Sequence, residues 1–181
     1  ISIAAGITAR ALSDWLPREQ SIIRCMPNTP ALIRQGITGL YANEYSTTEQ
    51  KENAEHLLGS VGTTLWVTEE NKLDIITAIS GSGPAYFFYL MEQMVLTGVE
   101  LGITENEALE LTLQTALGAA RLASKEQQYT PKSLREKVTS PGGTTQSALQ
   151  TFKDHGIDEA FRLGIKNAYI RSKKLSQEFG N

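Results

Sequence analysis

Ile79-Ser80-Gly81-Ser82-Gly83-Pro84-Ala85-Tyr86-Phe87-Phe88 is the stretch on which the fold turns. Two glycines within three residues break a preceding helix, and Pro84 suits the first turn of the next one. From Ala85 to Leu101, Tyr86, Phe87, Phe88, Leu90, Met91, Met94, Val95 and Val99 cover nearly the whole helical circumference. A helix of that kind is expected to be buried all round. The chain offers few other helices as cover, so a second copy is expected to supply part of it. The run from Ala85 to Leu96 contains Glu92 and Gln93, and it is too short and too polar to span a bilayer.

Upstream of this hinge the pattern is α/β. Apolar runs with strand character occur at Ile1–Ala5, Ser21–Met26, Gly39–Ala42 and Thr64–Val67. A helix is predicted between the last two, opened by a Ser46/Glu49 capping box. Ala54, Leu57, Leu58 and Val61 form its apolar stripe, and Gly59 and Gly62 are its candidate stops. Asn71–Ile79 reads as one helical segment. Downstream, Thr104 and Glu107 form a capping box for a helix with Leu109, Leu113, Ala116, Leu117 and Ala120 on one stripe. Thr144–His155 is a short helix stopped by Gly156, and Asp158 is expected to cap a last helix carrying Phe161, Ile165, Ala168 and Tyr169 on one face. The expected fold is an α/β remnant, the last strands of a Rossmann-like sheet over residues 1–68, followed by an all-helical domain over 69–181. The chain opens mid-strand without Met, which leads to the expectation of a fragment whose N-terminal part is missing.

The 181 residues carry a net charge of -3 with no basic stripe, which argues against a nucleic-acid partner. Cys25 is the single cysteine, so no intrachain disulfide forms, in keeping with a cytoplasmic setting. There is no metal-ligand spacing and no secretory signal. His56 and His155 fall among polar residues late in amphipathic helices and read as solvated.

Three glycine- and proline-rich segments carry the chemistry. In Thr139-Ser140-Pro141-Gly142-Gly143-Thr144-Thr145, the glycines permit a sharp turn and the following residues open a helix. Free N–H groups and the helix dipole then make a site for a carboxylate or phosphate, with Ser140, Thr144 and Thr145 adding hydroxyls. An N-capped helix after a tight turn is the alternative reading of the same residues. Ser80–Pro84 reads by itself as a kink between core helices. Arg24-Cys25-Met26-Pro27-Asn28-Thr29-Pro30 leaves the carboxyl end of a strand, where open α/β sheets bind ligands. By itself it is an ordinary proline turn.

In this order, Met-Pro-Asn-Thr-Pro, Ser-Gly-Ser-Gly-Pro-Ala-Tyr and Ser-Pro-Gly-Gly-Thr-Thr resemble the pyrroline-5-carboxylate reductases, from Ile1 to near Arg171. The resemblance implies reduction of 1-pyrroline-5-carboxylate to proline by hydride from NADPH or NADH, in a homodimer or a higher assembly of such dimers. It implies that Ser140, Gly142, Gly143, Thr144 and Thr145 bind substrate and that the Thr145 hydroxyl serves the ring nitrogen. Ala4, Ala5, Gly6, Met26, Pro27 and Asn28, with Val138, are expected to face the nicotinamide half of the cofactor. No G-x-G-x-x-G occurs, so this chain alone is expected neither to hold the cofactor nor to turn over. Arg24, Arg34, Arg121 and Arg135 are candidate partners of the anionic substrate, with a solvated or ion-paired arginine as the default. Two rivals remain. Another Rossmann-plus-helical reductase needs a proton relay, for which only Lys72 and Lys137 lie near the glycine segments. A non-catalytic dimerisation fragment leaves the Ser-Pro-Gly-Gly-Thr-Thr loop unexplained.

Overall fold

The computed structural model describes residues 1–16, 19–126 and 128–179. The chain divides into two compact units, one made of Ile1–Ala85 with the chain from Arg162 onward, the other of Tyr86–Phe161.

The first unit is built on a three-stranded sheet, β1 (Ile23–Met26), β2 (Gly36–Ala42) and β3 (Gly62–Trp66), in that order. β1 and β2 run antiparallel, with Ile23 opposite Ala42 and Met26 opposite Gly39. β2 and β3 run parallel, from Gly36 opposite Gly62 to Leu40 opposite Trp66. Side chains alternate across a strand. Ile23, Cys25 and Leu40 therefore share one face, where Ala54 of α2 (Thr48–Gly59) closes a core flanked by Ala42, Leu58 and Trp66. Gly39 faces the other way, and a Cβ there would strike Ile76 of α3 (Lys72–Ile76) at 2.5 Å. The sheet thus lies between α2 and α3.

Several expectations need correction. Of Ile1–Ala5, Ser2 alone pairs, in a parallel bridge to Arg24, with its N–H on Ile23 O and its carbonyl on Cys25 N. The chain then turns away at Gly6, so no full strand forms. The capping box belongs to Thr47 and Gln50, one residue later than predicted, because Ser46 is buried and spends its hydroxyl on Asn43 Oδ1 and Ile22 O. Leu57 falls off the buried stripe and is exposed. The Asn71–Ile79 helix ends at Ile76 and widens into a π turn, Thr77–Gly81. Thr77 and Ser80 hydroxyls donate to Leu73 O and Ile76 O and loosen the regular ladder there. Helix α1 (Ala9–Trp15), capped by Thr8, and the 3-10 turn Thr29–Ile33 had no legible signal.

The last helix, α8 (Ile157–Phe179), starts one residue before the predicted Asp158 cap. Gly156, at φ +71°, gives its carbonyl to Glu159 and Ala160 N–H and leaves Asp158 inside the first turn. From Arg162 on it belongs to the first unit. Ser172 donates to Asp74 at 2.6 Å, and Leu175 lies so close to Gly6 that a Cβ on that glycine would come within 3.1 Å of it.

The second unit contains most of α4 (Gly83–Glu100), then α5 (Glu105–Lys125), α6 (Pro131–Lys137), α7 (Thr144–Asp154) and the first turn of α8. Thr104 and Glu107 cap α5 reciprocally, as predicted. Gly98 lets α4 approach Ala108 of α5, and Tyr86 meets Phe161 edge-on at 6.0 Å. α6 was missed because Ser133 occupies the box position usually held by Glu or Gln. The expectation that α4 is buried all round fails within one chain. Phe87 is 64% exposed, Phe88 63% and Leu101 82%. Leu109, Leu113 and Leu117 on the predicted α5 stripe are also exposed, while Ala108 and Thr112 are buried.

Candidate active site

In the first unit the Ser2–Arg24 bridge is parallel, so both segments leave the sheet at the same edge. Ala4-Ala5-Gly6 follows one and Pro27-Asn28 follows Met26 of the other. Ala4 and Ala5 are exposed. Gly6 is buried at φ +78°, a backbone conformation suited to glycine, with Leu175 filling the space a side chain would need. Met26 is buried at the end of β1. Asn28 donates from Nδ2 to Ser80 O at 3.2 Å and accepts the Ile37 N–H on Oδ1 at 2.9 Å. The Ser80–Pro84 segment is thereby drawn to this same edge, a link that no sequence signal announced.

The Ser140–Thr145 segment lies in the second unit. Gly142 adopts φ +73°, Gly143 is the N-cap of α7, and no side chain caps that helix. The amides are shared out unequally. Gly143 N–H donates to Ser140 O at 3.0 Å, and Gly142 N–H donates to Gln146 Oε1 at 2.6 Å. Ser147 N–H makes the first helical bond, to Gly143 O. The N–H groups of Thr144, Thr145 and Gln146 are left without a protein acceptor among the described residues. The Gly143 N–H is thus spent on the turn, while the N–H of Gln146, a residue absent from the sequence-based candidates, is open. The legible signal was a Gln at the third helical position, the slot from which capping-box side chains reach back. Gly142, Gly143, Gln146, Ser147, Gln150 and Thr151 border an open depression of about 350 Å³. Thr145 is half-buried and Ser140 exposed.

Other candidates sort by their partners. Val138 ends α6 and is exposed. Arg24 is buried and ion-paired with Glu70 at 2.8 Å, and the same Glu70 oxygen accepts the Ala9 N–H, so Arg24 serves the fold. Arg34, Arg121 and Arg135 are exposed. Lys72 pairs with Glu69, and Lys137 sits 3.1 Å above the Tyr129 ring, so neither is a free relay. His56 and His155 are exposed. Burial pushes the Cys25 thiol up to about 11, the setting of an inert core residue. Among the described residues no cluster of His, Cys, Asp or Glu fits a metal, and no helix is long and apolar enough to cross a membrane.

The strand-end shelf fits the flat end of a dinucleotide. Ala4 and Ala5, small and exposed, lead into Gly6, which is buried against Leu175, so short side chains alone stand on this edge. It does not fit the pyrophosphate, for which the sequence has no fingerprint.

The family profile described as pyrroline-5-carboxylate reductase dimerisation matches residues 70–175. The pyrroline-5-carboxylate reductase of Pseudomonas aeruginosa is 47% identical over 180 residues, which are 99% of this chain and 66% of that protein. Pyrroline-5-carboxylate reductase 1 of Bacillus subtilis is 40% identical over 98% of this chain and 59% of its own length. Among solved structures, a pyrroline-5-carboxylate reductase from Coxiella burnetii superposes with a TM-score of 0.91 at 42% identity, covering 97% of this chain and 64% of that one. The Plasmodium falciparum pyrroline carboxylate reductase, solved with NADP bound, superposes with a TM-score of 0.90 at 28% identity, covering 97% and 66%. A small mixed sheet followed by a run of helices, one of them opening at a glycine turn with free amides, is the arrangement shared with these structures. The chain belongs to the pyrroline-5-carboxylate reductase family, and it spans just under two thirds of the length of the curated relatives it matches.

Proposed function

We propose that this chain forms the substrate-binding and dimerisation part, with the nicotinamide-facing edge, of an enzyme that reduces 1-pyrroline-5-carboxylate to L-proline. The observation that carries this reading is the row of unpartnered amides at Thr144, Thr145 and Gln146, beside the Thr145 hydroxyl, in a chain of this family. Residues 1–68 face the cofactor, and residues 69–181 pair two chains and hold the substrate. The three amides and the helix dipole grip the substrate carboxylate, and Ser140 adds a hydroxyl. A bound NADPH or NADH supplies the hydride to the imine carbon. As the C=N pair moves onto nitrogen, the Thr145 hydroxyl donates a hydrogen bond to it, and the nitrogen keeps or gains its proton from water. Ala4, Ala5, Gly6, Met26 and Pro27 form the shelf against the nicotinamide, and Val138 borders its ribose. Asn28 anchors that shelf. The exposed apolar residues of α4 and α5 are covered by a second copy in a homodimer, and the reduced Cys25 suits the cytoplasm.

The test is turnover in the complete protein. Imine-dependent oxidation of NADPH that yields proline supports the reading; absence of turnover with this imine, alongside turnover of a keto acid, overturns it. The 181 residues alone are expected to show no saturable NADPH binding at micromolar concentrations. Tight binding to them would contradict the division of labour proposed here.

A further inference from the structure

We propose that Asn28 is a positioning residue that locks the shelf loop to the Ser80–Pro84 hinge, an inference resting on the proposed reductase reading. The β1–β2 ladder ends at Met26 opposite Gly39, and the same register sets Pro27 opposite Thr38 and Asn28 opposite Ile37. Beyond the end of that ladder, the Ile37 N–H takes its acceptor from a side chain, Asn28 Oδ1 at 2.9 Å. At the hinge, the Ser80 carbonyl would find its α-helical donor four residues on, but that residue is Pro84, which has no N–H. The residue after it is committed elsewhere, since Ala85 N–H donates to Ser82 O at 3.1 Å. Asn28 Nδ2 supplies the missing donor at 3.2 Å.

The amide orientation follows from its partners. The Ile37 N–H can only donate and the Ser80 carbonyl can only accept, so Oδ1 faces the first and Nδ2 the second. One side chain thus fixes the loop after β1, the start of β2 and the π turn before α4. Both of its ends are spent inside the protein, so Asn28 acts on the hydride donor through the position of the Met26-Pro27 backbone. The π turn it holds is a single widened turn, a feature that recurs at functional sites.

Asn28→Asp, Asn28→Ala and Pro84→Ala in the complete reductase test the lock. Asn28→Asp keeps the acceptor for Ile37 and removes the donor to Ser80. Turnover is expected to fall by about 10- to 100-fold through misplacement of the nicotinamide seat. KM for the imine should change less than about threefold, because the grip at Thr144–Gln146 is untouched. Amide exchange in the cofactor-free protein provides a second reading. The Ser82 amide should exchange at least about tenfold faster in Asn28→Asp, with Ile37 still protected, whereas Asn28→Ala should expose both. Pro84→Ala restores a donor for Ser80, so the turnover cost of Asn28→Asp should shrink several-fold in that background. An undiminished cost there, or turnover within about threefold of the unaltered enzyme in Asn28→Asp, overturns the proposal. If the unaltered protein fails to reduce the imine, the reductase reading falls. The exchange pattern then still decides whether Asn28 ties the loop to the hinge.

Discussion

Replacing Thr145 with Ala, which removes its hydroxyl and γ-methyl, separates catalysis from structure. Thr145 is the second residue of α7, whose N-cap is Gly143 with no side-chain capping bond, and its hydroxyl has no partner among the described residues. The substitution therefore removes no hydrogen bond that the folded protein makes with itself. Ala is the better helix former by up to about 0.5 kcal/mol, so Tm should hold or rise by no more than about 2 °C. The amides of Thr144, Thr145 and Gln146 stay in place, so the carboxylate should bind nearly as before. Loss of one hydrogen bond to charge developing on the ring nitrogen costs about 2–4 kcal/mol, or roughly 30- to 1000-fold in rate. The loss should fall on kcat rather than KM. Steady-state kinetics of the complete enzyme, with scanning calorimetry alongside, reads both quantities, and Thr145→Ser should recover most of the rate. A kcat within about threefold of the unaltered enzyme refutes the role. A fall of several degrees in Tm with turnover intact would mark Thr145 as a residue of the helix start alone.

An acidic substitution on the open face of α4, Phe88→Asp, should leave the first unit folded and convert the assembly to monomers at low micromolar concentration; sedimentation velocity decides this, and an intact dimer counts against the face. Glu70→Ala strips the partner from the buried Arg24 and the acceptor from the Ala9 N–H, and should cost about 3–5 kcal/mol in urea unfolding. Cys25 should stay unreactive toward a disulfide reagent at pH 8 in the native state and react at once in denaturant. Its thiol is raised from 9.0 to about 11 on folding, so its contribution to stability is whole below pH 9 and is lost as pH climbs toward 11, which unfolding midpoints across that range will read.

The sheet was legible because its strands are apolar runs bounded by turn residues, and the three pairing segments lie where Ser21–Met26, Gly39–Ala42 and Thr64–Val67 predicted them, within a few residues. Ile1–Ala5 has the same composition, but pairing is a property of neighbours, and only Ser2 finds a ladder partner. The Thr104/Glu107 box was correct because its two hydrogen bonds are local. Ser46 misled because a long-range partner, Ile22 O, claims its hydroxyl. The glycine segments pointed to the helix start at Thr144, yet the accounting of amides was hidden. Whether Gly143 or Gln146 offers its N–H depends on where the Ser140 carbonyl and the Gln146 side chain fall, and no spacing rule gives that. Asn28 is expected to face the cofactor from its place at a strand end, and no local signal shows that its side chain also bonds Ile37 and Ser80, 9 and 52 positions away.

The first unit is discontinuous, and that has a consequence for how the protein is made. Its sheet and hinge come early in the chain, but Ser172, which bonds Asp74, is 98 positions further on. At a synthesis rate of about 5–20 residues per second, Asp74 waits roughly 5–20 s on the ribosome for its partner. Leu175, the support beneath Gly6, arrives later still. The second unit is therefore translated in full before the first can close. A chain that stalls or is cut between Phe161 and Ser172 carries a turn at Gly6 with nothing behind it, its strands present and its shelf unsupported.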